Sequence, residues 1–109
     1  MQNQTEFPVG SILNVRYLPE DLSTFNAIEI QGVWEYTEHG KDHSYIEPNP
    51  DNPQFFSLYL HCKTGGLECI GDLGTYSLAL SWAKELSAEH NWQINDFSQN
   101  QEIVFNIQK

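Results

Sequence analysis

The clearest pattern lies between Phe55 and Ile70, where Phe56, Leu58, Leu60 and Cys62 alternate with Ser57, Tyr59, His61 and Lys63. Alternation with a period of two is the signature of a strand with one buried face. Gly65-Gly66 follows, and glycine tolerates the positive φ angles of a tight hairpin turn. A two-residue loop there pairs Thr64 with Leu67, Lys63 with Glu68, Cys62 with Cys69 and His61 with Ile70. That register gathers Phe56, Leu58, Leu60, Cys62, Leu67 and Cys69 on one face, and Tyr59, His61, Lys63, Glu68 and Ile70 on the other.

The same periodicity predicts further strands. Leu13, Val15 and Tyr17 alternate with Asn14 and Arg16 over residues 11–18, before a turn at Pro19-Glu20-Asp21. Residues 24–37 predict one long bent strand or two joined at Gly32, with Ile28 and Ile30 on a common face. Trp34 and Tyr36 either stay on that face or change sides at the glycine. Trp92 and Ile94 suggest a short strand, and Ile103, Phe105 and Ile107 a last one.

One segment switches to a helical period. Between Tyr76 and His90 there is no Gly or Pro, and Ala79, Trp82, Ala83, Leu86 and His90 form one stripe. Thr75 is the expected N-cap and Asn91 the expected left-handed C-cap. Residues 38–54 carry prolines at 48, 50 and 53 and a glycine at 40, and read as a long Pro-rich loop. The expected fold class is therefore α+β: an antiparallel sheet of about four to six strands with one main amphipathic helix, over 75–90, on one face. Short turns connect the strands, so a parallel arrangement is not expected. The 109 residues suit a single domain over 1–109, whose 39% hydrophobic content can build a core without metal or disulfide staples.

Charge narrows the partners. A formal net charge of -10 repels phosphate backbones and anionic lipid, so neither direct nucleic-acid binding nor membrane binding is expected. The N-terminus lacks the basic start and apolar run of a signal peptide, and no apolar stretch approaches membrane-spanning length, so a cytoplasmic location is expected.

Candidate chemistry is sparse. Cys62 and Cys69 belong to no CxxC or zinc pattern; the hairpin register opposes them, yet on an apolar face they act as small buried hydrophobes rather than a redox pair. His61 and Cys62 are adjacent in a strand, so their side chains point to opposite faces and cannot form a dyad. His39 and His43, with Glu38 and Asp42 nearby, sit in the glycine- and proline-broken loop and lack a third ligand, so no metal and no cofactor is expected. No nucleophile motif, phosphate loop or acid–base pair is visible, and no catalytic residue is assigned; an enzyme is not expected.

The acidic bias carries the functional expectation. Residues 20–51 hold eight carboxylates against Lys41 alone, a field that speeds encounter with a basic protein. The expected function is a small acidic protein-binding module, of an inhibitor or immunity type, docking on a basic surface of another protein. Its contact residues are Glu29, Trp34, Glu35, Tyr36, Glu38, Asp42, Glu47 and Asp51, with Tyr45 a further aromatic nearby. A secondary patch on the second sheet face comprises Tyr59, His61, Glu68 and Ile70. The alternative is a self-associating accessory domain, most simply a homodimer, joined through a free sheet face or edge.

Overall fold

The computed structural model describes residues 13–37 and 44–98. Its organising element is β2 (Phe25–Thr37), a strand that runs unbroken through Gly32. On one side of it β4 (Phe55–Cys62) pairs antiparallel from Phe25 to Val33. The other side is shared: β6 (Gln93–Phe97) pairs along Ala27–Gln31, and β3 (Ser44–Pro48) pairs antiparallel along Val33–Thr37. β5 (Leu67–Leu73) joins β4, and β1 (Asn14–Arg16) joins β5, giving a sheet of six strands among the described residues. With the helix α1 (Tyr76–His90) packed on one face, the class is α+β.

One pair departs from the antiparallel expectation, since β2 and β6 are parallel. Two antiparallel steps make β5 parallel to β2, and α1 returns the chain across the sheet before β6. The helix is thus the crossover that a parallel pair requires.

Local chemistry sets the ends of α1. Thr75 is extended, and its hydroxyl accepts from the Leu78 N–H at 3.2 Å, satisfying one otherwise orphaned donor. Asn91 ends the helix in the left-handed region at φ 60°, its N–H donating to the Ser87 carbonyl. The face between them buries Ala79, Trp82, Ala83 and Leu86 against Ile28, Ile30, Leu58, Leu60, Ile70 and Leu73. Each buried aliphatic side chain contributes roughly 1.5–3 kcal/mol. Trp82 lies so close to β5 that a Cβ on Gly71 would sit 2.6 Å from its ring. Arg16 covers the Trp82 ring, its guanidinium 4.9 Å from the centroid.

At the other end of the helix a buried carboxylate is satisfied by its surroundings. Asp96 of β6 accepts from the Tyr76 hydroxyl at 2.6 Å and from the Ser98 N–H and hydroxyl at 2.8 and 2.5 Å. Burial and the neighbouring carboxylate push the Tyr76 phenol well above its ordinary range. This triad ties the first turn of α1 to the strand beside β2.

The β4–β5 hairpin differs from the two-residue expectation. His61 pairs with Leu67, Leu60 with Glu68 and Tyr59 with Cys69. The Cys62 N–H donates to the Gly66 carbonyl, so Lys63, Thr64 and Gly65 form a three-residue loop. Gly65 and Gly66 both take positive φ, at 110° and 92°, which only glycine adopts without strain. This register exchanges the two faces between Leu67 and Ile70, and a bulge then inserts Ile70 between the Tyr59–Cys69 and Leu58–Gly71 pairs, resetting the phase so that Gly71 and Leu73 also face the helix. Ile70 accordingly belongs to the helix-side core with no exposed surface, and Glu68 stands across from Leu60 rather than beside Tyr59. Cys69 and Leu67 move to the opposite, exposed face, and Cys62 packs against the core. The two cysteines are free and do not oppose each other.

Two further differences concern residues 38–54. Ser44–Pro48 is a strand rather than loop, and the expectation for residues 38–43 lies outside the described residues, as does the strand expected from Ile103, Phe105 and Ile107. Pro48 closes the strand at an edge, where a missing N–H costs no ladder bond.

Candidate functional site

Beyond Val33, β2 has no partner among the described strands but β3, so the two leave the sheet as a two-stranded ribbon. Gly32 marks its root. A Cβ there would lie 2.7 Å from the Ser98 carbonyl oxygen and 2.9 Å from Pro53, so only glycine admits the end of β6 and the β3–β4 connection together. The Asn49 N–H donates to the Gly32 carbonyl at 2.7 Å and the Gln54 N–H to the Val33 carbonyl at 2.8 Å, fixing the ribbon to that root.

No register shift occurs at Gly32, so Trp34 and Tyr36 stay on the face of Ile28 and Ile30. Tyr45 stands directly across from Tyr36, their rings stacked at 5.7 Å and 28°, and Trp34 approaches Tyr36 at 6.5 Å. Glu47 stands across from Trp34 on this same face. All five residues of β3 are exposed, and Tyr45 keeps 45% of its surface in solvent. The result is an aromatic platform with a carboxylate beside it.

The other ribbon face carries Glu35 and Ile46, which pair across the strands. Glu35 is exposed; its carboxylate accepts from the Ser44 hydroxyl at 2.7 Å, and its N–H donates to the Gln54 side chain at 3.0 Å. Asp51 is exposed in the turn after β3. The structure therefore gathers Trp34, Glu35, Tyr36 and Glu47 on one ribbon and adds Tyr45, while Glu38 and Asp42 lie outside the described residues. The described residues of β2 and β3 hold no Lys or Arg.

Glu29 is separated from this group. It lies on the sheet face away from α1, only 6% exposed, with its carboxylate 2.7 Å from His61 Nε2 and accepting from the Gln31 amide. A buried carboxylate so paired is a cross-strand tie between β2 and β4 rather than a surface charge. The parity of the sequence contains this signal: Glu29 alternates with Ile28 and Ile30 and so points away from Trp34 and Tyr36.

Of the secondary patch, Tyr59 and His61 share this second face, whereas the register of the three-residue loop turns Glu68 and Ile70 to the other face. Cys69 takes their place, diagonal to His61. Its thiol is pushed up by burial and by Asp72, with Sγ directed at the Gly71 carbonyl and Asp72. Tyr59 is pushed up by burial and by Cys69, Asp72 and Glu29, and Ser57 donates to Asp72 at 2.7 Å. A thiol held protonated beside a carboxylate is a poor nucleophile. Alternation alone does not reveal this cluster, because the loop length places Cys69 on this face and the bulge brings Asp72 to it.

Among the described residues, no three His, Cys, Asp or Glu side chains converge as metal ligands, and no helix is long and apolar enough to cross a membrane. No protein family, no curated protein and no solved structure matches the chain, so its geometry alone supports the functional reading.

Proposed function

We propose that this chain is a small acidic protein-binding module that docks on a basic surface of another protein through the β2–β3 ribbon. The observation that carries the reading is the run of three neighbouring aromatic side chains, Trp34, Tyr36 and Tyr45, on a projecting edge ribbon with Glu47 alongside. Tyr45 is exposed and Trp34 and Tyr36 are half-buried, and aromatic side chains at a surface anchor interfaces by supplying large contact area at small entropic cost. Glu47 lies on the face of the anchors, Glu35 on the opposite ribbon face and Asp51 in the turn that follows, and no cation in the described residues of either strand compensates them. Such a field steers a basic partner and rejects acidic ones.

The test compares capture by the wild-type chain and by a Trp34→Thr, Tyr36→Thr, Tyr45→Thr variant from the same cell extract at low salt, followed by a salt gradient. Threonine suits strands, so the ribbon keeps its backbone. A basic protein retained by the wild type, released as salt rises and lost with the variant supports the reading. Equal retention by both chains contradicts it.

A second reading is favoured by the rim of the second sheet face, where Val15, Leu67 and Phe97 are all about half exposed. We propose self-association through that face as the alternative. A salt-resistant dimer abolished by Phe97→Asp and Leu67→Asp, but unaffected by the ribbon variant, would favour it.

A further inference from the structure

We infer that the Trp34–Tyr36–Tyr45 face, with Glu47 beside it, binds arginine guanidinium groups of an extended basic segment of the partner protein. The inference rests on the docking reading above and names its chemistry. The faces of aromatic rings carry negative potential and attract cations, and the planar guanidinium can stack on such a ring where a compact ammonium cannot. Glu47, across from Trp34 on the same face, supplies the counter-charge, and a carboxylate can accept two parallel N–H bonds from one guanidinium. The same chemistry is already used within the fold, where Arg16 covers Trp82 at 4.9 Å. No Lys or Arg in the described residues of β2 or β3 competes for the platform. The Glu47 carboxylate beside the rings disfavours a phosphate-bearing ligand.

The edge of β3 indicates an extended ligand. The Asn49 N–H donates inward to Gly32, and backbone direction alternates along an antiparallel strand. Glu47 and Tyr45 therefore direct their backbone groups at β2, while Ser44 and Ile46 direct theirs outward, where no described strand pairs with them. Pro48 falls on the outward set, where it limits the free edge to the stretch beside Tyr45 and Glu47. A strand laid along Ser44–Ile46 places every second side chain on the aromatic face.

The test uses the whole chain, labelled with 15N, and two pentapeptides identical except that one carries arginine at its second and fourth positions and the other citrulline. Citrulline keeps the planar urea shape and loses the charge. The arginine peptide is expected to shift the Trp34 indole N–H, identified by its loss in Trp34→Phe, and the amides of residues 44–47 in a saturable manner. The citrulline peptide should bind at least about two- to fivefold more weakly for each arginine replaced. Glu47→Gln and Tyr45→Leu should each weaken the arginine peptide by a similar factor, with the rest of the spectrum unchanged. Equal binding of the two peptides, shifts confined to other residues, or no saturable shift at millimolar peptide would each overturn the inference. The docking reading is judged separately, because ribbon-dependent capture of a partner would stand even where the arginine peptide fails.

Discussion

Replacing Gly32 with alanine sets two opposing effects against each other at the root of the ribbon. The φ of Gly32 is not in the positive region, so alanine fits the backbone, and removing glycine's freedom in the unfolded chain favours folding by about 0.4–1 kcal/mol. Against this, the new methyl would lie 2.7 Å from the Ser98 carbonyl oxygen and 2.9 Å from the Pro53 ring. One neighbour is backbone and the other a closed ring, so neither can swing aside as a flexible side-chain tip would. Overpacking of this kind costs about 1–3 kcal/mol. The steric term wins, leaving a net loss of about 0.5–2 kcal/mol, or a midpoint lowered by roughly 3–12 °C. Urea unfolding followed by Trp fluorescence, with a thermal scan, measures both quantities. The Asn49–Gly32 bond should loosen with it, seen as faster exchange of the Asn49 amide. Stability equal to or above that of the wild type would refute the close-approach explanation for glycine at this position.

Two other predictions follow from the buried polar groups. Tyr76→Phe removes one donor from Asp96 and should cost about 1–2 kcal/mol without affecting partner capture; a change below about 0.3 kcal/mol would show that the triad does not hold α1 to β6. In a Cys62→Ala background, alkylation of Cys69 should be slower near neutral pH than that of an unfolded thiol and should keep rising through about pH 9, since a raised pKa reduces the thiolate at any given pH. A plateau below about pH 8.5 would contradict the shielding by its surroundings and Asp72.

The parts of the fold visible in the sequence are those fixed by neighbouring residues. Thr75 and Asn91 bound the helix because each satisfies backbone groups within one turn of itself, and the stripe from Ala79 to Leu86 needs only the helical period. The hairpin was half legible. Its strands follow from alternation, but Leu67 with Cys69 and Glu68 with Ile70 offer competing phases, and the loop register that turns Ile70 inward, with the bulge that keeps Leu73 inward too, depends on the tertiary demand for apolar side chains under α1. The parallel pairing of β6 was hidden because it is set by where the helix returns the chain, a long-range property that no local pattern encodes. At the site, the aromatic character of Trp34, Tyr36 and Tyr45 was plain. Their assembly was not, since it requires Ser44–Pro48 to be a strand in a segment whose prolines suggest loop. Proline at the last, outward-facing edge position removes that conflict. Glu29 shows the opposite failure: the acidic run grouped it with the ribbon, whereas strand parity alone assigns it to the other face, where His61 meets it.

In the proposed function, a negatively charged aromatic ribbon steers and anchors a basic partner. The most direct measurement is the association rate of the captured partner with the wild type and with a Glu35→Lys, Glu47→Lys, Asp51→Lys variant at low and high salt. All three side chains are exposed, so the thermal midpoint should be nearly unchanged. Association of the variant should be slowed by about tenfold or more at low salt, with the two rates converging as screening shortens the range of the field. Identical association rates at low salt, with the partner still bound, would contradict it.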